Sequence, residues 1–288
     1  MKTKSMIYWL FVLPVIVALS IVIIIPFVYG IYFSFTDWNG DVTSSPNFVG
    51  FDNYLGLIND ETFVHSLFFT FKYSIASVIF INIIGLSLAL LVTSNIKTRN
   101  FLRTIFFMPN LIGGLILGFI WQFIFTKVFA SIGEFIGNES LQSWLSDSHT
   151  GFWGLVILTT WQMAGYIMII YIAYLENVPN DLLEAAEIDG ANAWQKFKNI
   201  TFPLVAPAFT VSMFLTLSGA FKVYDQNLSL TNGGPGHSTT MVAMDIVNSA
   251  FKMNLMGEAQ AKAVIFFIIV MIISLTQVYY NKKKEVEM

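Results

Sequence analysis

Residues 152–175 read FWGLVILTTWQMAGYIMIIYIAYL, residues 176–202 read ENVPNDLLEAAEIDGANAWQKFKNITF, and residues 203–223 read PLVAPAFTVSMFLTLSGAFKV. Two apolar runs thus flank a polar stretch rich in helix formers. About 20 mostly apolar residues in a helix cross a bilayer core, and both outer pieces reach that length. Neither alternates polar and apolar residues, which excludes the strands of a membrane β-barrel. The middle piece predicts two short helices. Pro179 and Asp181 suit a helix start, and Leu182, Leu183, Ala185 and Ala186 continue it. Gly190 permits a left-handed turn that ends it. Trp194 and Phe197 share one face of the second short helix. Pro203 then opens the next membrane helix, where a missing amide hydrogen costs little.

The same reading extends to the whole chain. Of its 288 residues 56% are hydrophobic and 11% charged, against about 25% charged in a soluble domain. Lipid is the solvent this composition requires. The net charge of −3 gives no reason to expect a nucleic-acid partner. Absence of cysteine excludes disulfides, cysteine–zinc sites and cysteine nucleophiles. Six stretches reach membrane length: 7–35, 66–94, 105–126, 152–175, 203–223 and 258–280. The last begins among polar residues, Glu258, Gln260 and Lys262. The first follows Lys2 and Lys4 and is roughly twice as long as the core of a secretory signal, so it is read as a retained helix. The expected fold is all-α transmembrane with six helices in one domain, 1–288.

Basic residues set the orientation. With six spans, Lys2, Lys4, Lys97, Arg99, Arg103, Lys196, Lys198, Lys282, Lys283 and Lys284 all fall on one side. The opposite loops hold Lys127 and Lys252, with Lys222 and Lys262 near helix ends. Both termini are therefore expected in the cytoplasm, with 176–202 as a cytoplasmic loop. Trp38, Trp144 and Trp153 suit anchoring at the outer interface.

Two helices too short to be stable alone need something to pack against. Either they pack on this chain's own helix ends, with Glu184 completing a capping box from Asp181, or they dock into a cytoplasmic partner. Glu184-Ala185-Ala186, then Asp189-Gly190-Ala191, then Phe197, Ile200 and Pro203, resembles the EAA loop of binding-protein-dependent ABC importer permeases. Phe202 stands where that family more often has Leu. The resemblance implies a type I importer permease whose loop forms coupling helices seated on an ATPase, through Glu184, Ala185, Ala186, Asp189, Gly190, Ala191 and Phe197. It further implies a second homologous permease in a heterodimer, two copies of a cytoplasmic ATPase, and an extracytoplasmic binding protein, either periplasmic or a lipoprotein. ATP and Mg would be bound by the ATPase and no cofactor by this chain. The place would be a bacterial or archaeal cytoplasmic membrane.

Other segments narrow the branch. Phe48-Val-Gly-Phe-Asp-Asn-Tyr54, Phe107-Met-Pro-Asn110 with Trp121, and Thr231-Asn-Gly-Gly-Pro-Gly-His-Ser-Thr239 resemble segments of carbohydrate permeases of the maltose, raffinose and glycerol-phosphate type. The likeness is to the maltose-permease-F-like half, without its extra helices and inserted domain. It implies a mono- or oligosaccharide as cargo and gives Gly233, Gly234 and Pro235, otherwise only a turn, to the binding protein. Polar groups at membrane depth are candidate path residues or helix-packing residues: Asn82, Gln122, Thr159, Thr160, Gln162, Tyr166, Thr216, Ser218 and Lys222. A sugar site wants rings beside amides and hydroxyls, so Trp161, Gln162 and Tyr166 are grouped, with Trp121 and Gln122 nearby. The resemblance adds Thr159 and Tyr166 as matching contacts on helix four and Thr216 and Ala220 on helix five, with Met163 in place of a small residue. Lys222 and Asp225 are three apart and suit an ion pair or a gate.

The remainder excludes chemistry. His65, His149 and His237 show no ligand spacing, so no metal site is expected. Glu61, Glu134, Glu139, Asp147, Asp225, Asp245 and Glu258 read as solvated loop charges. No phosphate-binding Gly-x4-Gly-Lys-Ser/Thr loop occurs, so this chain is not the ATPase, and no catalytic constellation stands out. The rival readings are a polyol or glycerol-phosphate importer, an ion-coupled secondary transporter, which wants intramembrane carboxylates, and an intramembrane enzyme.

Overall fold

The computed structural model describes residues 2–41, 43, 45–94 and 96–283, with side chains from residue 8 onward. Lys284 and the side chains of Lys2 and Lys4 lie outside the described residues. Among the described residues six helices are long and apolar enough to cross a membrane: α1 (Tyr8–Phe33), α3 (Glu61–Thr93), α5 (Gly114–Ile136), α7 (Ser148–Leu175), α9 (Ala193–Phe221) and α12 (Met256–Lys282). Shorter helices lie between them: α2 (Asp52–Asn59), α4 (Arg99–Phe107), α6 (Glu139–Gln142), α8 (Asn180–Ile188), α10 (Asp225–Leu230) and α11 (Val242–Phe251). The β structure found among the described residues is one isolated bridge, Thr36 to Phe48.

Two expected boundaries shift. The stretch 105–126 is broken rather than continuous: α4 ends at Phe107, Met108–Leu111 forms a 3-10 turn, and Ile112 and Gly113 are extended. Pro109 lacks the amide hydrogen an α-helix needs, and the membrane helix restarts at Gly114. The fifth span opens at Ala193 rather than at Pro203. The π turn Phe197–Thr201, with Phe202 N–H bonded to the Phe197 carbonyl, carries the helix past Pro203. The expected loop 224–257 also contains α10 and α11. At 10 residues α11 is too short to span.

The chain divides into two compact units, Met1–Val64 with Asp245–Ile268, and His65–Met244 with Ile269–Met288. The larger unit has two apolar cores. One gathers Tyr73, Leu117, Phe125, Leu155 and Leu158, with Trp144 and Trp153 packed on it. The other gathers Ile81, Ile167, Met168, Tyr171 and Val205. Trp144 stacks on Phe125 and Trp153 meets Phe80 edge-on, so both take part in packing beyond any interfacial anchoring.

The smaller unit is organised by a buried cation. The Lys262 ammonium lies 2.7 Å from Asp60, 3.1 Å from Asp245 and 3.1 Å from Glu258, with side-chain exposures of 3% for Lys262 and Asp245. It also donates to the Ser249 hydroxyl at 2.9 Å. Asp245 and Glu258 are therefore not solvated loop charges. Asp245 is buried and Glu258 partly so because α11 and the start of α12 fold onto one ammonium. Burial pushes the Asp245 carboxyl above its ordinary 3.8, outweighing the pull of Lys262, and the charges of Asp60 and Glu258 push the same way. Burial also acts upward on Asp60, but the bonds from Lys262 and the Phe63 N–H outweigh it and hold that carboxyl low.

Removing one partner of a buried charge set costs about 3–5 kcal/mol, so Lys262→Met should lower the thermal unfolding midpoint sharply. Stability tied to Asp245 is full below pH 3.8 and lost as pH rises through its raised value. That tied to Asp60 is present above 3.8 and lost as pH falls through its lowered value. Asp245→Asn should therefore flatten the decline in midpoint that sets in above pH 3.8 and ends once pH has passed the raised value, read by unfolding the purified protein across pH.

Candidate functional site

The loop 176–202 forms a hairpin of α8 and the start of α9. Gly190 adopts φ 80°, and the N–H groups of Gly190 and Ala191 bond to the carbonyls of Glu187 (3.1 Å) and Ala186 (2.9 Å). This paired bonding closes a helix C-terminus that only a left-handed residue permits. Asn192 and Gln195 then form a capping box at the start of α9. The capping box expected from Asp181 and Glu184 is absent: the residue capping α8 is Pro179, which has no side-chain acceptor. Lys196 pairs with Glu187 at 3.0 Å across the hairpin. Trp194 and Phe197 stack as expected, 5.7 Å apart. Glu184 and Ala185 are exposed, Ile188 is 88% exposed and Trp194 68%. Arg103, from the connection after α3, meets Glu176 at 2.6 Å. The second and fourth connections therefore share one end of the bundle, as the charge pattern requires.

At membrane depth the polar candidates mostly serve the fold. Gln162 donates to the Ile112 carbonyl at 3.0 Å and accepts from Gln226 at 2.9 Å. It thereby satisfies the backbone that the break at Pro109 leaves open. Gln122 donates to the Leu230 carbonyl at 3.1 Å. Thr159 bonds Tyr73 at 2.6 Å. Asn82 links three helices, donating to Thr216 at 3.0 Å and accepting from Tyr171 at 3.0 Å. Gly165 allows α7 to approach α4, where a Cβ would overlap the Phe106 carbonyl oxygen. Lys222 and Asp225 do not pair among the described residues. The helix ends at Phe221, and Lys222 and Tyr224 leave helical geometry, so the three-residue spacing no longer brings them together. Lys72, outside the loop count of basic residues, is exposed on α3 beside Phe71, whose ring meets Phe221.

Trp121 and Trp161 do come together, 5.6 Å apart and edge to face. With Phe80, Trp153 and Thr160 they line an apolar cavity of about 540 Å³. The Trp121 Nε1–H and the Thr160 hydroxyl are buried there and bond nothing among the described residues. Gln162 and Tyr166 do not join this lining. Gln162 is turned to the break, and Tyr166 packs on the second core.

Thr231–Thr239 is a rigid turn. Gly233 has φ 76°, the Gly234–Pro235 bond is cis, and the Thr239 hydroxyl bonds the Gly234 carbonyl at 2.8 Å. Asn227, fully buried on α10, donates to the Thr239 carbonyl at 2.8 Å and accepts from the Met241 N–H at 3.1 Å. Pro235 is exposed at the tip.

A profile of the family described as binding-protein-dependent transport system inner membrane component matches residues 81–285. The chain belongs to this family. Among relatives of this inner membrane component, the "Probable starch degradation products transport system permease protein AmyD" of Thermoanaerobacterium thermosulfurigenes is 56% identical over 98% of this chain and 96% of its own length. The multiple sugar-binding transport system permease protein MsmF of Streptococcus mutans is 31% identical over 96% of each. The trehalose/maltose transport system permease protein MalF of Thermococcus litoralis is 31% identical over 94% and 91%. A bacterial ABC transporter that imports the acidic polysaccharide alginate has the same fold, with a TM-score of 0.84 at 21% identity over 98% of this chain and 96% of that one. Family membership makes the chain a multi-pass membrane subunit and not itself an enzyme, and removes the secondary transporter and the intramembrane enzyme.

Within this permease, sequence reasoning missed Asn227 and underrated Asn82. The partners of Asn82 lie about ninety to a hundred and thirty residues away in the chain, whereas those of Asn227 lie within the turn that follows it and are brought to it only when that turn closes. Asn82→Leu would remove the acceptor that the Tyr171 hydroxyl donates to, and the donor to Thr216, whose hydroxyl keeps the Ser212 carbonyl, and should cost about 1–2 kcal/mol. A lowered unfolding midpoint in detergent, with normal membrane insertion, is the expected readout.

Proposed function

We propose that this chain is the transmembrane permease subunit of an ATP-binding-cassette sugar importer, forming half of the path for a mono- or oligosaccharide delivered by an extracytoplasmic binding protein. The cargo class is supported by the relatives named for starch degradation products, multiple sugars, and trehalose/maltose. The chain acts as one domain, 1–288, with both termini and the loop 176–202 in the cytoplasm. Its partners are a second homologous permease and two copies of an ATPase, which bind the ATP and Mg.

One observation carries the coupling role. The exposed α8, ending at Gly190, leads into a single helix, Ala193–Phe221, that crosses the membrane. A push on α8 therefore reaches Thr216, bonded to Asn82, along one continuous helical segment that carries a π turn at Phe197–Thr201 and Pro207. Glu184, Ala185, Ala186, Asp189, Gly190, Ala191 and Phe197 form the docking knob. Trp121 and Trp161 are the better placed of the path candidates, and Thr216 is buried in its bonds to Asn82 and the Ser212 carbonyl. Gln122, Thr159, Gln162 and Tyr166 act by holding those helices, and Lys222 stands exposed at the outer end of α9. Gly233, Gly234 and Pro235 form the turn offered to the binding protein, with Pro235 at its exposed tip and Gly233 buried beneath it.

Reversing a charge at a docked contact costs about 2–5 kcal/mol, more than tenfold in affinity. Glu184→Lys should therefore abolish substrate-stimulated ATPase activity and uptake while the chain stays in the membrane, and Gly190→Pro should do the same by deforming the turn. Uptake at the wild-type rate in both variants would refute the coupling role.

A further inference from the structure

Among the described residues helix α2 presents an exposed apolar row, met within the chain by the Phe35 ring at its Phe48–Phe51 end. Phe51, at its N-cap, with Leu55 and Ile58 falls at the i, i+4, i+7 spacing of one face, at 66, 61 and 73% exposure, and Phe48 beside them is 73% exposed. Isolated exposed apolar residues are ordinary on a protein surface, but these four, two within the eight-residue helix, one at its N-cap and one just before it, are not scattered. The flank about 100° round from this row carries Asp52, Gly56 and Asn59, all exposed.

The remaining face fastens α2 at a defined level. Asn53 donates to the Ser34 and Thr36 carbonyls, each at 2.9 Å, just past the end of α1 at Phe33. The Tyr54 hydroxyl bonds the Ser34 hydroxyl at 2.6 Å. Gly257, at the start of α12, donates to the Trp38 carbonyl at 2.8 Å, and a Cβ there would overlap the Thr36 carbonyl oxygen. Asp60, which caps α2 and precedes α3, is held by Lys262 at 2.7 Å. The helix is thus clamped where α1 ends and where α3 and α12 begin. Tyr29 and Tyr32, at 58 and 55% exposure near the end of α1, mark the same level with the aromatic belt expected at a membrane surface.

We infer that α2 is an interfacial helix, lying in the bilayer surface with Phe48, Phe51, Leu55 and Ile58 inserted at the boundary of headgroups and acyl chains. A helix with an apolar face and a polar face takes this position when held at that depth. No Lys or Arg lies between residues 48 and 64, so the insertion is hydrophobic and does not call for anionic lipid. The occupant of the row is the lipid of that leaflet, and the clamp makes α2 a float that fixes the height of the outer corner in the membrane.

The chain has no native cysteine, which makes the test direct. Single-cysteine variants Phe51→Cys, Leu55→Cys, Ile58→Cys, Asp52→Cys and Asn59→Cys of the full chain would carry an environment-sensitive fluorophore. They would be reconstituted in phosphatidylcholine vesicles doped with a lipid bearing a nitroxide near the carbonyl end of its acyl chain. Labels at 51, 55 and 58 should lose severalfold more fluorescence than those at 52 and 59, with the reverse order for an aqueous quencher. Should Leu55→Cys not be recovered, Phe48→Cys takes its place in the same comparison. Equal lipid quenching at all five positions would overturn the inference. Shielding of the row only on addition of a binding protein or second permease would overturn it too, by assigning the face to a protein.

Discussion

In hydrocarbon a backbone carbonyl without a partner costs several kcal/mol, and Pro109 creates that problem in the middle of this bundle. The run around it stops being an α-helix at Phe107 and resumes at Gly114. Much of the larger unit can be understood as the repair. Gln162 on α7 donates to the Ile112 carbonyl, and Gln226 on α10 donates to Gln162. Gly114 leaves the space beside Gln226 that a Cβ would fill. Three segments far apart in the chain are thereby locked to one break, and the polar residues most suggestive of a sugar site are committed to holding it.

That commitment changes where cargo contacts belong. The rings at Trp121, Trp153, Trp161 and Phe80 surround a cavity whose polar groups are the unbonded Trp121 Nε1–H and Thr160 hydroxyl. A second set, Asn82 with Thr216 and Tyr171, ties α3, α7 and α9 together, and α9 is the helix that begins at the exposed hairpin. The hairpin, α9 and the interhelical network form one mechanical chain, in which Gly190 supplies the turn that no β-carbon-bearing residue adopts as readily.

The fold was legible where the physics is local. Membrane-length apolar runs, the asymmetry of Lys and Arg, and Gly190 between two helix-forming stretches each depend on neighbours in sequence. Arg103 meeting Glu176 puts the second and fourth connections at one end, as the charges required. What escaped depends on distant partners. Lys262, Asp245 and Glu258 read singly as loop or helix-end charges, yet their burial rests on Asp60, some two hundred residues upstream. Lys222 and Asp225 show the opposite failure: a helical spacing counted across a helix that had already ended. Phe107-Met-Pro-Asn110 read as the opening of a helix, because a proline at a first turn and a proline at a break look alike until the resumption at Gly114 is seen.

The central claim is that the α8 hairpin is where a cytoplasmic ATPase engages this permease. The most direct measurement places the sole cysteine of the chain at Ala185 and attaches a short photo-crosslinker in native membranes, with and without ATP. A cross-linked product containing a soluble ATPase, lost when the cysteine is moved to the opposite connection, at Ser140, is the predicted result. Recovery of the uncross-linked chain, alone or only with copies of itself in both nucleotide conditions, would contradict it.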